Sequence, residues 1–153
     1  MASPPIALRL SVGITGHRDL ATRYRTYYSQ LRATLGAALA ELAQIAEIVA
    51  RERSGSVAKL QLRMVSPLAE GADRLAAIEA SRLGYRLHVP MPFAQAEYER
   101  DFDAASRAEF RALLEQARAD EGVVALDGRR EDAERGYRAV GQYVLDQSIC
   151  CLL

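Results

Sequence analysis

The sequence predicts an α/β domain, a Rossmann-like parallel sheet of about five strands with helices on both faces. Three features of the chain favour this fold. Short apolar stretches of strand length alternate with four helical segments of 3.6-residue periodicity. Two of the predicted strands run into a glycine turn that opens a helix. Half of the 153 residues are apolar, which suffices for a core between the layers.

The first strand and turn are Leu8-Arg-Leu-Ser-Val-Gly-Ile-Thr-Gly-His-Arg18, and a polar link over residues 19–23 follows. A strand, a glycine turn and a helix form the phosphate-binding corner of many α/β folds. Gly16 can adopt a positive φ and lets the backbone approach a ligand. The candidate ligand-binding residues here are Thr15, Gly16, His17 and Arg18. A tight turn with a surface arginine is the alternative, because the motif is neither G-x-G-x-x-G nor a Walker loop.

A helix of about 28 residues is predicted next. Its apolar residues recur every three or four positions, at Tyr24, Tyr28, Leu31, Leu35, Leu39, Leu42, Ile45 and Val49. Ser54-Gly55-Ser56 is expected to end it. A stripe this long could exceed what one sheet face covers and pack against a second copy of the chain, although packing within the chain is the simpler expectation.

The second corner follows a strand over residues 60–65, which stops at Pro67 because proline cannot donate to a ladder. The helix after it is expected to end at Gly84. The candidate ligand-binding residues of this corner are Ser66, Glu70, Gly71 and Asp73. Asp73 falls in the first helical turn, where a carboxylate suits the macrodipole. Helix capping and binding of a ligand hydroxyl are its two alternative roles.

The rest of the chain completes the alternation. Strands are predicted at 85–91, 123–126 and 148–153, helices at 106–119 and around Tyr137 and Val140, and an acidic and aromatic helix or loop at 97–103. His88, between two apolar residues, is interpreted as a hydrogen-bonded strand residue. Ligands of such sheets bind at the carboxyl ends of the strands, where both glycine turns and segment 97–103 meet.

Composition excludes several classes of function. Lys+Arg and Asp+Glu number 20 each, so no global charge attracts nucleic acid or a membrane. We find neither a signal peptide in residues 1–5 nor an uninterrupted apolar run of about 18 residues. Cys150 and Cys151 are adjacent and are interpreted as buried thiols, which favours the cytoplasm. No motif for a metal, a cofactor or a catalytic nucleophile is present, so none is expected.

The two corners together resemble the SLOG superfamily, which includes the Lonely-guy phosphoribohydrolases, the DNA-processing protein of natural transformation and bacterial nucleotide-sensor domains. Val12-Gly-Ile-Thr-Gly-His-Arg18 is similar to its first turn, and residues 66–77 and 84–93 to its second corner and third strand. Residues 106–110 and 137–144 resemble a bacterial subfamily. The resemblance implies one domain over residues 1–153 in which the first turn binds a phosphate and the second the ribose-phosphate side.

The sequence departs from the superfamily pattern at its end. There the fifth strand continues into a glycine-rich turn and a helix, which carry a Pro-Gly-Gly-x-Gly-Thr signature and a catalytic glutamate in the phosphoribohydrolases. This sequence stops at Leu153, before either. The expectation is therefore a domain without that segment, with an exposed apolar patch near Cys151 and Leu153 for a partner domain, a second copy or the missing segment.

Binding or sensing of a nucleotide or nucleotide-derived ligand is the leading functional prediction. A phosphoribohydrolase acting on nucleoside 5′-monophosphates is the first alternative, with Glu70 or Asp73 as the carboxylate that stabilises the developing ribosyl cation. A module for single-stranded DNA is the second, and the balanced charge argues against it.

Overall fold

The computed structural model describes residues 8–54, 60–120 and 122–152. Its elements follow the chain as β1 (Leu8–Ile14), α1 (Leu20–Arg23), α2 (Tyr28–Ser54), β2 (Leu60–Val65), α3 (Ala72–Arg82), β3 (Arg86–Met91), α4 (Gln95–Tyr98), α5 (Ala104–Ala119), β4 (Val123–Ala125), α6 (Ala133–Asp146) and β5 (Cys150–Leu152). Short 3-10 turns lie at Arg25–Tyr27, Glu99–Asp101 and Arg130–Asp132.

The strands of the described chain pair in parallel, in the order β4-β3-β2-β1-β5. The predicted α/β class with a parallel sheet is confirmed. From β1 the chain adds β2, β3 and β4 on one side, whereas the short β5 pairs with the other side of β1, Val12 beside Cys150. The order of the strands therefore reverses beside β1. Open α/β sheets bind ligands at such a switch point, beyond the carboxyl ends of the strands.

Helix α6 packs on the face of the sheet that carries Gly13 and His88. A Cβ added to Gly13 would lie 2.9 Å from Val144, and the His88 ring stacks on Tyr143 with centroids 5.8 Å apart. Neighbouring residues of a strand point to opposite faces. Val12, which follows Ser11 and precedes Gly13, accordingly belongs to the main core, with buried residues of α2, α3 and α5.

The long helix begins later than predicted. The polar link is helical at α1, and Tyr24, with φ −117°, interrupts the helix before α2 begins at Tyr28. The start of β3, the end of β4 and the bounds of α5 differ from the predictions by one or two residues. Four expectations concern residues or side chains that the structure does not describe. They are the helix end at Gly55 and Ser56, the tail over residues 1–5, the buried thiols, and the patch near Cys151 and Leu153.

Helix α2 also meets a simple criterion for a membrane span. The stretch Arg25–Arg53 has a mean hydropathy of 1.4 in its most apolar window, of which 11% is buried. Length and composition alone give this result, which differs from the expectation that no stretch could span a membrane. In the fold, α2 packs against α3, β1 and β2, with Leu39 fully buried.

Candidate functional site

A cavity of about 510 Å³ opens at the carboxyl ends of β1 and β2, beside α6. This is the edge of the sheet, next to the switch point, that the sequence predicts for a ligand. Its volume is in the range of small-molecule sites. The cavity is lined by Ile14, Thr15, Gly16, Arg18, Pro67, Ala69, Asp73, Tyr98, Tyr137, Val140, Gly141, Val144 and Leu145.

The structure brings half of the predicted site residues together. Those that line the cavity are Thr15, Gly16, Arg18 and Asp73. The predicted residues outside its lining are His17, Ser66, Glu70 and Gly71. The two corners thus lie at the same edge of the sheet, but only some residues of each corner line the cavity.

Asp73 is the carboxylate that lines the cavity. It lies in the first turn of α3 with 8% of its surface exposed, and its carboxylate accepts a hydrogen bond from the backbone N–H of Ala69. Burial raises the pKa of Asp73 to about 7, against the opposing charges of Arg18 and Arg74. At neutral pH the carboxyl group is therefore present in both protonation states, so it can donate or accept a hydrogen bond.

Arg18 lies at the mouth of the cavity and is exposed. Within residues 8–54, 60–120 and 122–152, its guanidinium forms no ion pair or side-chain hydrogen bond. A guanidinium left free beside a cavity is suited to a phosphate or carboxylate, which it can bind with two parallel hydrogen bonds.

Ser66 is fully buried, and its hydroxyl is committed to the protein. The hydroxyl donates to the carbonyl oxygen of Asp73 (3.0 Å) and accepts from the N–H of Leu68 (3.2 Å). Leu68 has a φ of 59°, rare for a leucine, and Arg74 donates to its carbonyl at 3.0 Å. Ser66 therefore shapes the loop that carries the Ala69 amide, rather than facing a ribose as the resemblance implies.

The two glycines allow the two turns to contact each other. The N–H of Ala72 donates to the carbonyl of His17 at 3.1 Å. A Cβ added to Gly71, whose φ is 81°, would lie 2.2 Å from that carbonyl oxygen, and one added to Gly16 would lie 2.5 Å from the Cβ of Ala72. Gly16 has no positive φ. The close approach at Gly71 is thus between the backbones of the two turns, and the one at Gly16 is to the side chain of Ala72.

Glu70 and His17 are predicted site residues that do not line the first cavity. Glu70 accepts a hydrogen bond from the hydroxyl of Ser106 and lines a second cavity, of about 520 Å³, which also contacts Arg18. The exposed imidazole of His17 lies 3.4 Å from a guanidinium nitrogen of Arg23. Neither side chain lines the first cavity with Asp73.

Tyr98 and Tyr137 are cavity residues that the sequence analysis did not single out. Tyr98 is 2% exposed, and burial together with the charge of Asp73 raises the pKa of its hydroxyl. The hydroxyl of Tyr137 donates to Asp101, whose other oxygen accepts from Arg130. The sequence did place segment 97–103 at this edge, but nothing in it distinguished Tyr98 from its neighbours.

One wall of the cavity is apolar and comes from α6, at Val140, Gly141, Val144 and Leu145. A Cβ added to Gly141 would meet no atom within 4 Å. Gly141 therefore borders open space, whereas a glycine that permits close packing would have protein atoms next to it. The described part of the chain holds no group of three or more His, Cys, Asp or Glu side chains placed to bind a metal ion.

Comparison with known proteins assigns no relative. The chain matches no protein-family model, and a search of the curated proteins finds no significant match.

Proposed function

We propose that this chain is a SLOG-like cytoplasmic domain, with about five strands and helices on both faces, that binds a nucleotide or nucleotide-derived ligand in the cavity beside α6. The observation that carries the proposal is the free guanidinium of Arg18 at the mouth of a cavity with one apolar wall. A nucleotide has the matching parts, an anionic phosphate and a planar ring that is largely apolar on its faces.

The lining suggests how such a ligand would be oriented. The phosphate would pair with Arg18, with the hydroxyl of Thr15 beside it, and the ring would lie against Val140 and Val144. Asp73, on the polar side of the cavity, would bind a ribose hydroxyl, since acidic residues near such turns accept ribose hydroxyls.

Titration with a panel of nucleotides tests the proposal. Calorimetry with AMP, ADP, cyclic AMP, NAD and ADP-ribose should show saturable binding of at least one of them. For that ligand, Arg18→Ala should cost about 1.5–3 kcal/mol of affinity, the range for hydrogen bonds to charged groups. Arg18→Lys should lose much of the same affinity, because the ammonium group of lysine cannot replace the two parallel hydrogen bonds of the planar guanidinium.

Arg138→Ala is the matched control, since this exposed α6 arginine pairs with Glu134 and lies outside the cavity lining. Its affinity should be that of the unmodified chain. Absence of binding by every nucleotide at millimolar concentration, or equal affinities of the Arg18→Ala and unmodified chains, would refute the proposal.

Phosphoribohydrolase activity on nucleoside 5′-monophosphates is a second candidate, which the position of Asp73 favours. Of the two carboxylates considered, Asp73 lies in the cavity, whereas Glu70 lies outside it. Incubation with AMP should then release free adenine and ribose 5-phosphate, and Asp73→Asn should abolish the release. Binding of AMP without any free adenine would leave the chain as a binding domain only.

A further inference from the structure

A second cavity, of about 520 Å³, adjoins the first and has no role in the function proposed above. It is bounded by α1, by the turn that opens α3 and by the first turns of α5. Its volume, like that of the first cavity, is in the range of small-molecule sites. Among the described residues, Arg18 is the one that lines both cavities.

The turn that opens α3 separates the two cavities. Ala69 and Asp73 line the first cavity, whereas Glu70 and Arg74, the residues next in the chain, line the second. The free guanidinium of Arg18 therefore lies where the two cavities meet, and a group bound to it borders both.

Three carboxylates line the second cavity, and two of them are paired with arginine. Asp19 pairs with Arg23 at 3.3 Å, and Glu109 pairs with Arg74 at 3.0 Å. Glu70 forms no ion pair in the part of the chain that the structure describes. Glu70 therefore keeps an unneutralised charge beside the cavity.

Glu70 also retains acceptor capacity for a ligand. It is half-buried and accepts a hydrogen bond from the hydroxyl of Ser106. A carboxylate has about four acceptor sites, so others remain for hydroxyl groups. Its charge would repel a further phosphate, and the guanidinium groups of Arg18 and Arg74 would repel a cation. The chemistry of the cavity thus fits a neutral group that carries hydroxyls, such as a sugar.

Arg74 leaves one donor unsatisfied at this wall. Its side chain is 5% exposed, and its Nη1 donates to the Ser106 hydroxyl at 2.8 Å and to Glu109 at 3.0 Å, both of which line the cavity. Nη2 of the same guanidinium is buried and lacks a hydrogen-bond partner among the residues described. A buried donor without an acceptor destabilises the native state. A sugar hydroxyl both donates and accepts, so it matches the acceptor on Glu70 and the unsatisfied donor on Arg74.

We propose that the ligand is a nucleoside diphosphate that carries a second sugar, and this inference rests on the nucleotide site proposed above. The nucleoside lies in the first cavity, with its ribose on Asp73, and the diphosphate lies on Arg18. The second sugar enters the second cavity and donates hydroxyl groups to Glu70. The protein thus presents an acceptor, a guanidinium and an acceptor to the sugar, the diphosphate and the sugar of the ligand.

Calorimetry on the full chain compares ADP-glucose and ADP-ribose with ADP and ATP. The two ADP-sugars should bind about tenfold more tightly than ADP, which corresponds to one hydrogen bond to a charged group. ATP should bind no more tightly than ADP, because its third phosphate would face Glu70.

Two variants locate the second sugar. Glu70→Ala should abolish the preference for the ADP-sugars over ADP, because it removes the acceptor of their hydroxyl groups. Glu115→Ala is the matched control: this exposed glutamate of α5 pairs with Arg118 and lies outside both linings, so its variant should keep the preference. Ala105→Phe tests the space itself, since Ala105 is exposed and lines the second cavity, so a larger side chain there should fill it and also abolish the preference.

The outcomes separate this inference from the proposed function. Saturable binding of ADP with the same affinity for the ADP-sugars would overturn the inference and leave the nucleotide site standing. A preference for the ADP-sugars that survives either variant would also overturn it, since the second sugar would then lie outside the second cavity. Absence of binding by every nucleotide would refute the proposed function, and this inference with it.

Discussion

The carboxylate of Asp73 accepts a hydrogen bond from the N–H of Ala69 while burial holds its pKa at about 7. The ordinary pKa of the group is 3.8, so the unfolded chain releases this proton first as the pH rises. The native state therefore loses stability between about pH 4 and pH 7, and the full loss is about 4 kcal/mol at higher pH. At neutral pH, the buried carboxylate of Asp73 therefore destabilises the native state, and it also gives the cavity an ionisable group.

Asp73→Asn should remove this cost. The variant should unfold with a free energy up to about 4 kcal/mol higher than the unmodified chain at pH 8, but only about 1 kcal/mol higher at pH 4.5. Urea unfolding at the two pH values measures the difference. Asp101→Asn is the control of opposite sign, because Asp101 is ion-paired with Arg130, and it should destabilise the chain at pH 8. An Asp73→Asn effect that is equal at both pH values would contradict the raised pKa.

Gly71→Ala should destabilise the chain by roughly 3 kcal/mol, since the new Cβ would meet the His17 carbonyl at 2.2 Å in a backbone conformation that favours glycine. Gly84 provides a matched comparison: its φ is 82°, close to the 81° of Gly71, but no atom lies within 4 Å of an added Cβ. Gly84→Ala should therefore cost only about 1 kcal/mol. Thermal or urea unfolding distinguishes the two, and equal losses would show that contact between the turns contributes nothing.

Gly141→Leu should block the cavity without harming the fold. The side chain would grow into open space beside the proposed ring site, and leucine is favoured over glycine in a helix by about 1 kcal/mol. Nucleotide affinity should fall at least tenfold while the melting temperature stays equal or rises. Gly136→Ala is the contrasting variant on the same helix, since its Cβ would lie 2.5 Å from Phe93 and should destabilise the chain. Unchanged affinity in Gly141→Leu would place the ligand elsewhere.

His88 should make the chain sensitive to acid. Burial, with Arg63 and Arg9 nearby, lowers its pKa from 6.5 to about 4, and its ring nitrogen lies 2.9 Å from the Tyr143 hydroxyl. The unfolded chain takes up the proton first on acidification, so native stability falls from about pH 6.5 toward pH 4. At this half-buried site solvent screening reduces the loss to about 1–2 kcal/mol.

His88→Gln should remove that acid-dependent loss while keeping a hydrogen-bonding side chain. On acidification from pH 7 to pH 4.5, the unfolding free energy of the variant should therefore rise by about 1–2 kcal/mol relative to that of the unmodified chain, in which Asp73 contributes with the opposite sign. Tyr143→Phe, which removes the hydroxyl but leaves the imidazole, should cost about 1 kcal/mol at pH 7. If His88→Gln leaves the difference between the two pH values unchanged, another group causes the acid sensitivity.

Local patterns predicted much of the fold and part of the site. Periodicity located the strands and helices, and the shared edge of parallel strands brought Thr15, Arg18 and Asp73 to one cavity. Such patterns could not predict the directions of the side chains in the second turn. These directions depend on the loop after β2, where Leu68 has a positive φ and its N–H donates to the buried hydroxyl of Ser66, and on Glu70, which accepts from Ser106.

The apolar wall that α6 forms could not be predicted either, because it depends on the order of the strands in the sheet. Gly141 faces the cavity only because β5 pairs beyond β1, which brings α6 across the sheet. Spacing located the stripe of α2 except at its start, since Tyr24 lies before the helix. Leu31, Ile45 and Val49 of the stripe are exposed because α3 and the sheet cover only part of it.

The hydrogen bond between His17 and Ala72 has a consequence for folding kinetics. All of α2 and β2 lies between these two residues in the chain. We therefore expect both turns to reach their native shape only after this long loop has closed and β1 has paired with β2, so that the site forms after the entropy of loop closure has been overcome. Amide exchange at Ala72 should accordingly require an opening that separates both turns, and its protection should exceed that of the exposed amides of α1.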